Sequence, residues 1–322
     1  MKEKVILVGP CLGELWWCFE RFAPYVFWRK RELEQEHGKI MLSCLERRDR
    51  FDIWGTNCDV LVPLDIQGDG SVYKQDCFRL TNFPTAKYNL IIESFRKHYS
   101  SYEIMDHILP KIDDKEFLNK NQFPRDKKLY NFIPRSANKQ LLDDYIKTNK
   151  PVVVLAPRYR KDFSRNWPYW SKLYTLITQD KYLKDYTFVI CGKDPDYIPD
   201  KENRFLDVNK IKINGSSSLI GITIELLKKS ILTVGSQSGI PNISLLIGTP
   251  TLEWGDQKEN HTITYNTRNT PVTFIEDMHY RLDPRTVVLE IVKILKEMEK
   301  KNGEYKKSLA SSESSKDKLF TS

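Results

Sequence analysis

Residues 231–256 hold the densest chemistry in this chain. The apolar run Ile231-Leu232-Thr233-Val234 leads into Gly235-Ser236-Gln237-Ser238-Gly239 and an apolar stretch to Ile247, and after Gly248-Thr249-Pro250 come Thr251-Leu252-Glu253-Trp254 and Gly255-Asp256. Short unbroken apolar runs bounded by glycine read as buried parallel strands. Two glycines around small polar residues, where strand turns to helix, make a cradle for phosphate. The first N–H groups of the helix lack intrahelical partners, Ser236 and Ser238 can cap them or donate to an anion, and the positive end of the helix dipole favours negative charge. In an open parallel sheet such a loop sits at the carboxyl ends of the strands, where ligands bind.

Two other loops carry charge into turns of the same kind. Gly9-Pro10-Cys11-Leu12-Gly13-Glu14 follows the first apolar run and delivers a carboxylate to the start of a helix. An acid there can act on a substrate or cap its own helix. After the apolar run at 152–155 come Arg158, Arg160, Lys161 and Arg165, then Asn166-Trp167-Pro168. Four cations in one loop either stabilise a departing diphosphate without a metal or form a solvated basic surface. Asp256 has two readings as well, an acceptor for sugar hydroxyls or an ordinary turn residue.

These residues together resemble the lipopolysaccharide heptosyltransferases, glycosyltransferases of the GT-B architecture. The family pattern Asp-Ser-Gly, His-Leu-Ala, Gly-Thr-Pro and aromatic-Gly is met here by Gln237-Ser238-Gly239, Asn242-Ile243-Ser244, Gly248-Thr249-Pro250 and Trp254-Gly255. Gln237 and Asn242 stand where the family has an acid and a histidine. The family's Leu-Gly-Asp is matched by Leu12-Gly13-Glu14, which implies that Glu14 is the general base removing the acceptor proton, with Gly13 beside the acceptor. Arg165 lies two residues before Trp167-Pro168, where the family has a phosphate-binding lysine; arginine offers a bidentate fork there. The resemblance implies an inverting, metal-independent transfer. Donor contacts are then expected from Arg158, Arg165, Ser236, Gln237, Ser238, Gly239, Asn242, Gly255 and Asp256. Asp194-Pro195-Asp196, an Asp-x-Asp by pattern, follows a different strand and reads as a turn.

The elements that must position these residues alternate in type. Strands are expected at residues 4–9, 39–44, 60–64 and 88–92, then at 152–155, 187–191, 231–234, 251–254 and 272–275; helices are expected at 13–31, 102–109, 240–247 and 284–300. Alternation of this kind gives parallel α/β sheets. The expected fold is therefore two facing Rossmann-like domains: residues 1–145 for the acceptor, 146–300 for the nucleotide sugar, and a Lys/Ser-rich tail at 301–322 expected to be disordered. The polar segment 95–135 reads as an insertion. The helix after Glu14 is crowded with aromatics, Trp16 and Trp17 among them, and ends in Arg29-Lys30-Arg31. Its aromatics pack on the first sheet, and Trp16 and Trp17 are candidates to stack on an acceptor ring; a peripheral membrane contact is the other reading.

Composition sets outer bounds. At 322 residues and 40% apolar the chain can bury two cores, and no run reaches the roughly 20 apolar residues of a membrane span. A cytoplasmic location follows as an expectation. Six cysteines without a Cys-x-x-Cys pair read as reduced core thiols, and five histidines form no ligand cluster. The net charge of +8 suits an anionic partner without choosing one. A nucleotide sugar as co-substrate, no cofactor, and a glycan or lipid-linked saccharide as acceptor form the first expectation. A hydroxylated base in DNA is the alternative acceptor, and a non-catalytic binding module for sugar nucleotides or nucleic acid is the rival class.

Overall fold

The computed structural model describes residues 2–10, 18–64, 85–109, 123–124, 126–159, 165–192 and 205–317. The first half contributes strands β1 (Lys4–Val8), β2 (Met41–Glu46), β3 (Val60–Pro63) and β4 (Glu103–Ile108), all parallel, in the order β3-β2-β1-β4. The second contributes β5 (Val152–Ala156), β6 (Thr187–Ile190), β7 (Phe205–Asp207), β8 (Leu232–Ser236), β9 (Thr251–Gly255) and β10 (Val272–Glu276), parallel in the order β10-β9-β8-β5-β6-β7. Their helices are α1 (Ala23–His37), α2 (Phe51–Trp54), α3 (Thr85–His98), α4 (Ser136–Tyr145), α5 (Trp170–Gln179), α6 (Leu219–Lys229), α7 (Gly239–Ile247) and α8 (Pro284–Asp317). This is the expected α/β class with two parallel sheets.

Parallel strands must be covered on both faces, and the sequence supplies the covers. One face of the second sheet carries a core in which Trp167, Trp170 and Leu173 meet Val287, Ile291 and Leu295 of α8. Its other face shares a core with the first half, where Phe19, Phe22 and Trp54 join Ile220, Ile224, Ile240 and Ile243. In the second sheet the chain builds outward from β5 through β6 to β7, then returns to lay β8 on the opposite side of β5. That reversal opens a crevice at the carboxyl ends of β5 and β8.

Two segments exchange type relative to expectation. The strand expected at 88–92 is part of helix α3, and the helix expected at 102–109 is strand β4. Short apolar runs are ambiguous between the two periods; in α3, Ile92 and Phe95 are buried at helical spacing while Leu90 points outward, 66% exposed. β4 is an edge strand exposed on one side, so its polar residues mimic a helix face. Pro24, which by pattern would interrupt the aromatic helix, sits in the first turn of α1, where a missing N–H costs nothing. Strand β7 was not anticipated. Helix α8 runs on past 301 into the tail, and 318–322 lie outside the described residues.

The cysteine expectation needs one correction. Cys44, Cys58 and Cys191 are free thiols, but Cys18 is disulfide-bonded, its other half lying outside the described residues. Linear spacing does not reveal a pair that only folding brings together.

A buried carboxylate ties the two halves. Asp52 of α2 is fully buried and accepts from Arg135 N (2.9 Å), Nε (3.1 Å) and Nη2 (2.9 Å), from Asn138 Nδ2 (3.0 Å) and from Ser218 Oγ (2.5 Å). Asn138 Oδ1 accepts from Ser218 N at 2.8 Å, and Ser218 Oγ caps α6 by accepting from Gly221 N at 2.9 Å. A Cβ on Gly221 would lie 2.4 Å from the Asn138 amide nitrogen, so glycine lets α4 and α6 approach. Breaking one side of a buried ion pair leaves the other charge uncompensated, at about 3–5 kcal/mol. Asp52→Ala is therefore expected to lower unfolding free energy by about that much in urea titration, and Asp52→Asn by less, since its amide oxygen still accepts. A loss for Asp52→Ala below about 1 kcal/mol, the worth of an exposed pair, would remove Asp52 as the tie between the halves.

Candidate active site

The crevice between β5 and β8 gathers the polar residues of the second half. Ala156 lies beside Gly235 in the sheet, Ser236 beside Trp254, and Gly255 beside Glu276, so β5, β8, β9 and β10 end together. A side chain on Gly235 would meet Pro241 Cγ at 2.9 Å and Ala156 Cβ at 3.1 Å; the missing Cβ lets α7 turn sharply off β8. Helix α7 starts at Gly239 with Ser238 as its N-cap residue, whose hydroxyl makes no capping bond. Among the described residues nothing accepts from the N–H groups of Gly239 and Ile240, and Pro241 has none to offer. These donors, with the exposed Gly239 and half-buried Ser238, form the mouth of an anion cradle.

Cations stand on the β5 side. Arg158 Nη1 donates to the Gln237 carbonyl at 3.1 Å, spanning the crevice from the β5 loop to the β8 loop. Arg165 is half-buried and places Nη2 3.7 Å from Asp256 Oδ2. Its loop is anchored two residues later by Trp167, which is buried, stacks edge-on to Trp254 at 4.8 Å and donates from Nε1 to the Leu282 carbonyl at 2.9 Å. The two arginines thus approach the cradle from a fixed base.

Gln237 joins two loops of the crevice. Its side chain is buried and folds under β9, where Oε1 accepts from Asp256 N at 3.0 Å and Gln257 N at 3.1 Å. Gly255 makes this crossing feasible: a Cβ there would sit 2.4 Å from Gln237 Oε1. Asp256, about one quarter exposed, remains turned toward the crevice. Ser236 is buried, and its hydroxyl is a donor without a partner among the described residues. Asn242 is buried with an unpartnered Oδ1; an amide oxygen accepts, so an anion contact from Asn242 would fall to Nδ2.

One acid beneath the cradle belongs to the interior. Glu253, in the middle of β9, is fully buried with His261 Nδ1 at 2.9 Å from Oε1, in a geometry short of a hydrogen bond. Burial pushes its carboxyl above the ordinary range, opposed by the neighbouring His261.

Glu14, Gly13, Trp16 and Trp17 lie outside the described residues, as do Arg160, Lys161 and Asp194-Pro195-Asp196. Among the described residues no group of three His, Cys, Asp or Glu side chains could hold a metal. Sequence reasoning missed Tyr280, whose hydroxyl lies 3.0 Å from Asp256 Oδ1 and 3.3 Å from Gln237 Oε1. An aromatic inside the polar run Asp277-Met278-His279-Tyr280-Arg281, just after a strand at the binding edge, was the available signal.

No family model matches the chain, and no curated protein matches it in sequence. Solved structures share its fold. E. coli ADP-heptose lipopolysaccharide heptosyltransferase II aligns over 92% of this chain and 99% of its own, with TM-score 0.55 and 12% identity. The E. coli heptosyltransferase WaaC with ADP-2-deoxy-2-fluoro heptose covers 90% of this chain and 99% of its own, with TM-score 0.52 and 10% identity. The chain accordingly has the α/β fold of the GT-B heptosyltransferases, the architecture that its loop residues led us to expect.

Proposed function

We propose that this protein is an inverting glycosyltransferase that moves a sugar from a nucleotide sugar to a hydroxyl on a glycan or lipid-linked saccharide. The observation that carries the reading is the convergence of unpaired α7 N–H groups, Arg158, Arg165 and Asp256 at the switch point of the second sheet. Such a crevice suits a diphosphate flanked by a hydroxylated group. The fold shared with an enzyme bound to an ADP-heptose analogue supports the same reading.

In the proposed step the acceptor oxygen attacks the anomeric carbon opposite the diphosphate, and its proton passes to the Glu14 carboxylate. The bond from the anomeric carbon to the diphosphate oxygen breaks, and the diphosphate leaves with the electron pair. Arg158 and Arg165 supply positive charge to it, so the step as proposed requires no metal. The first half would present the acceptor, with Gly13, Trp16 and Trp17 beside Glu14. No helix among the described residues is long and apolar enough to cross a membrane, so contact with a lipid-linked acceptor would be peripheral. A cytoplasmic location accords with access to nucleotide sugars.

Calorimetry with ADP, UDP and GDP tests the donor half, and Arg165→Ala is expected to weaken nucleoside diphosphate binding about tenfold or more while leaving nucleoside binding nearly unchanged. Equal loss for both ligands would indicate a damaged fold, and the absence of any nucleotide binding would overturn the proposal. For the chemical step, Glu14→Gln is expected to lower transfer by about 10²–10⁴ with nucleotide affinity intact. Activity within a few-fold of the unsubstituted protein would leave Glu14 as a helix cap. Transfer to hydroxymethylated DNA and not to saccharides would replace the glycan acceptor with a DNA base.

A further inference from the structure

We infer that Tyr280 is a positioning residue of the donor site: its buried hydroxyl holds the Asp256 carboxylate toward the sugar end of the bound nucleotide sugar. The inference rests on the function proposed above. Tyr280 follows β10 in a turn that Asp277 organises, with Oδ1 accepting from His279 N at 3.2 Å and Oδ2 from Leu282 N at 2.7 Å. In that turn Tyr280 adopts φ 54°, a left-handed conformation unfavourable for a bulky side chain, shared among the described non-glycine residues only with Asn269. Strained residues of this kind persist where the surrounding structure demands them and gather at ligand sites. The result of the turn is a ring 2% exposed, pointing back under β9.

Counting donors and acceptors decides what the hydroxyl does. It has one proton and two acceptors in reach, Asp256 Oδ1 at 3.0 Å and Gln237 Oε1 at 3.3 Å. Gln237 Oε1 already receives two backbone N–H groups, whereas Asp256 has a full charge and the shorter distance, so the proton belongs to the carboxylate. Burial, then Asp256 itself, push the Tyr280 hydroxyl up to about 12, so it remains a donor throughout the range in which enzymes work. Gly255 is part of the device, since a Cβ there would come within 3.1 Å of the hydroxyl. Asp256 Oδ2 faces Arg165 Nη2 at 3.7 Å. A diphosphate would draw that guanidinium to itself. Asp256 would then keep its place through Tyr280 alone, with Oδ2 free to accept from sugar hydroxyls.

The test compares Tyr280→Phe, Asp256→Asn and the double variant, with affinities measured by calorimetry for ADP, UDP and GDP and for ADP-glucose, UDP-glucose and GDP-mannose. The quantity of interest is the ratio of nucleotide-sugar to nucleoside diphosphate affinity for whichever pair the unsubstituted protein binds. Tyr280→Phe, which keeps the ring, is expected to lower that ratio about tenfold while nucleoside diphosphate affinity stays within about twofold. Asp256→Asn is expected to lower the ratio by a similar factor, and the double variant's ratio to be no lower than either's, because both lie on one path. Equal weakening of both ligands by Tyr280→Phe, or additive losses in the double variant, would overturn the positioning role and leave the proposed function standing. Failure of the unsubstituted protein to bind any of the six ligands would overturn both.

Discussion

The amide oxygen of Gln237, accepting from the N–H groups of Asp256 and Gln257, is the contact around which the second half of the site is arranged. It stitches the end of β8 to the end of β9 from below, and it does so only because Gly255 has no side chain. Once the amide is engaged there, the Gln237 carbonyl faces Arg158, the Asp256 side chain is turned to the crevice, and the first N–H groups of α7 are left unpaired. A carboxylate at this position could accept the same two N–H groups. It would add a negative charge at the crevice, and the amide satisfies the backbone without that charge.

Buried charge is handled in two ways in this protein. Asp52 is surrounded by five donated hydrogen bonds from Arg135, Asn138 and Ser218, so its burial is fully compensated and its strength is directed across the junction between the halves. Glu253 is less well provided for: one histidine nitrogen lies 2.9 Å away, and neither carboxylate oxygen has a hydrogen-bond partner among the described residues. The difference matters for rigidity. A carboxylate with five donors resists displacement, whereas the Glu253–His261 pair, at the base of the β8–α7 loop, is held by fewer contacts.

Much of this arrangement is legible in the sequence. Unbroken apolar runs followed by glycine announced the parallel strands, and the placement of Gly235, Gly239, Gly248 and Gly255 announced the turns, because those constraints are local and steric. What was illegible was long-range. The exchange of type between 88–92 and 102–109 arose because a half-exposed edge strand and an amphipathic helix are hard to separate over five or six residues. The Asp52 network joins residues 52, 135, 138 and 218, and the Tyr280 contact joins 280 to 256 and 237, separations that no motif encodes. Gln237 shows a subtler limit. A side chain next to a glycine on the adjacent strand can turn inward, and sequence offers no sign of which way it goes.

The charge pattern at the crevice suits an anion whose two ends differ. Arg158 and Arg165 enter from the β5 side and the α7 dipole points at the same space, so positive potential is concentrated where a diphosphate would lie. Asp256, held from beneath by Tyr280, is the acid at its rim. A carboxylate repels phosphate and attracts hydroxyl protons, so it contributes orientation and does not add to the attraction for the anion. On the proposed reading, the short span from Arg165 to Asp256 would make ligand binding exchange one contact for another, phosphate replacing carboxylate at the guanidinium and hydroxyl replacing guanidinium at the carboxylate. Such an exchange costs little in net charge, since each partner retains an opposite or polar neighbour throughout, and it admits a ligand only if that ligand brings both groups at the right separation.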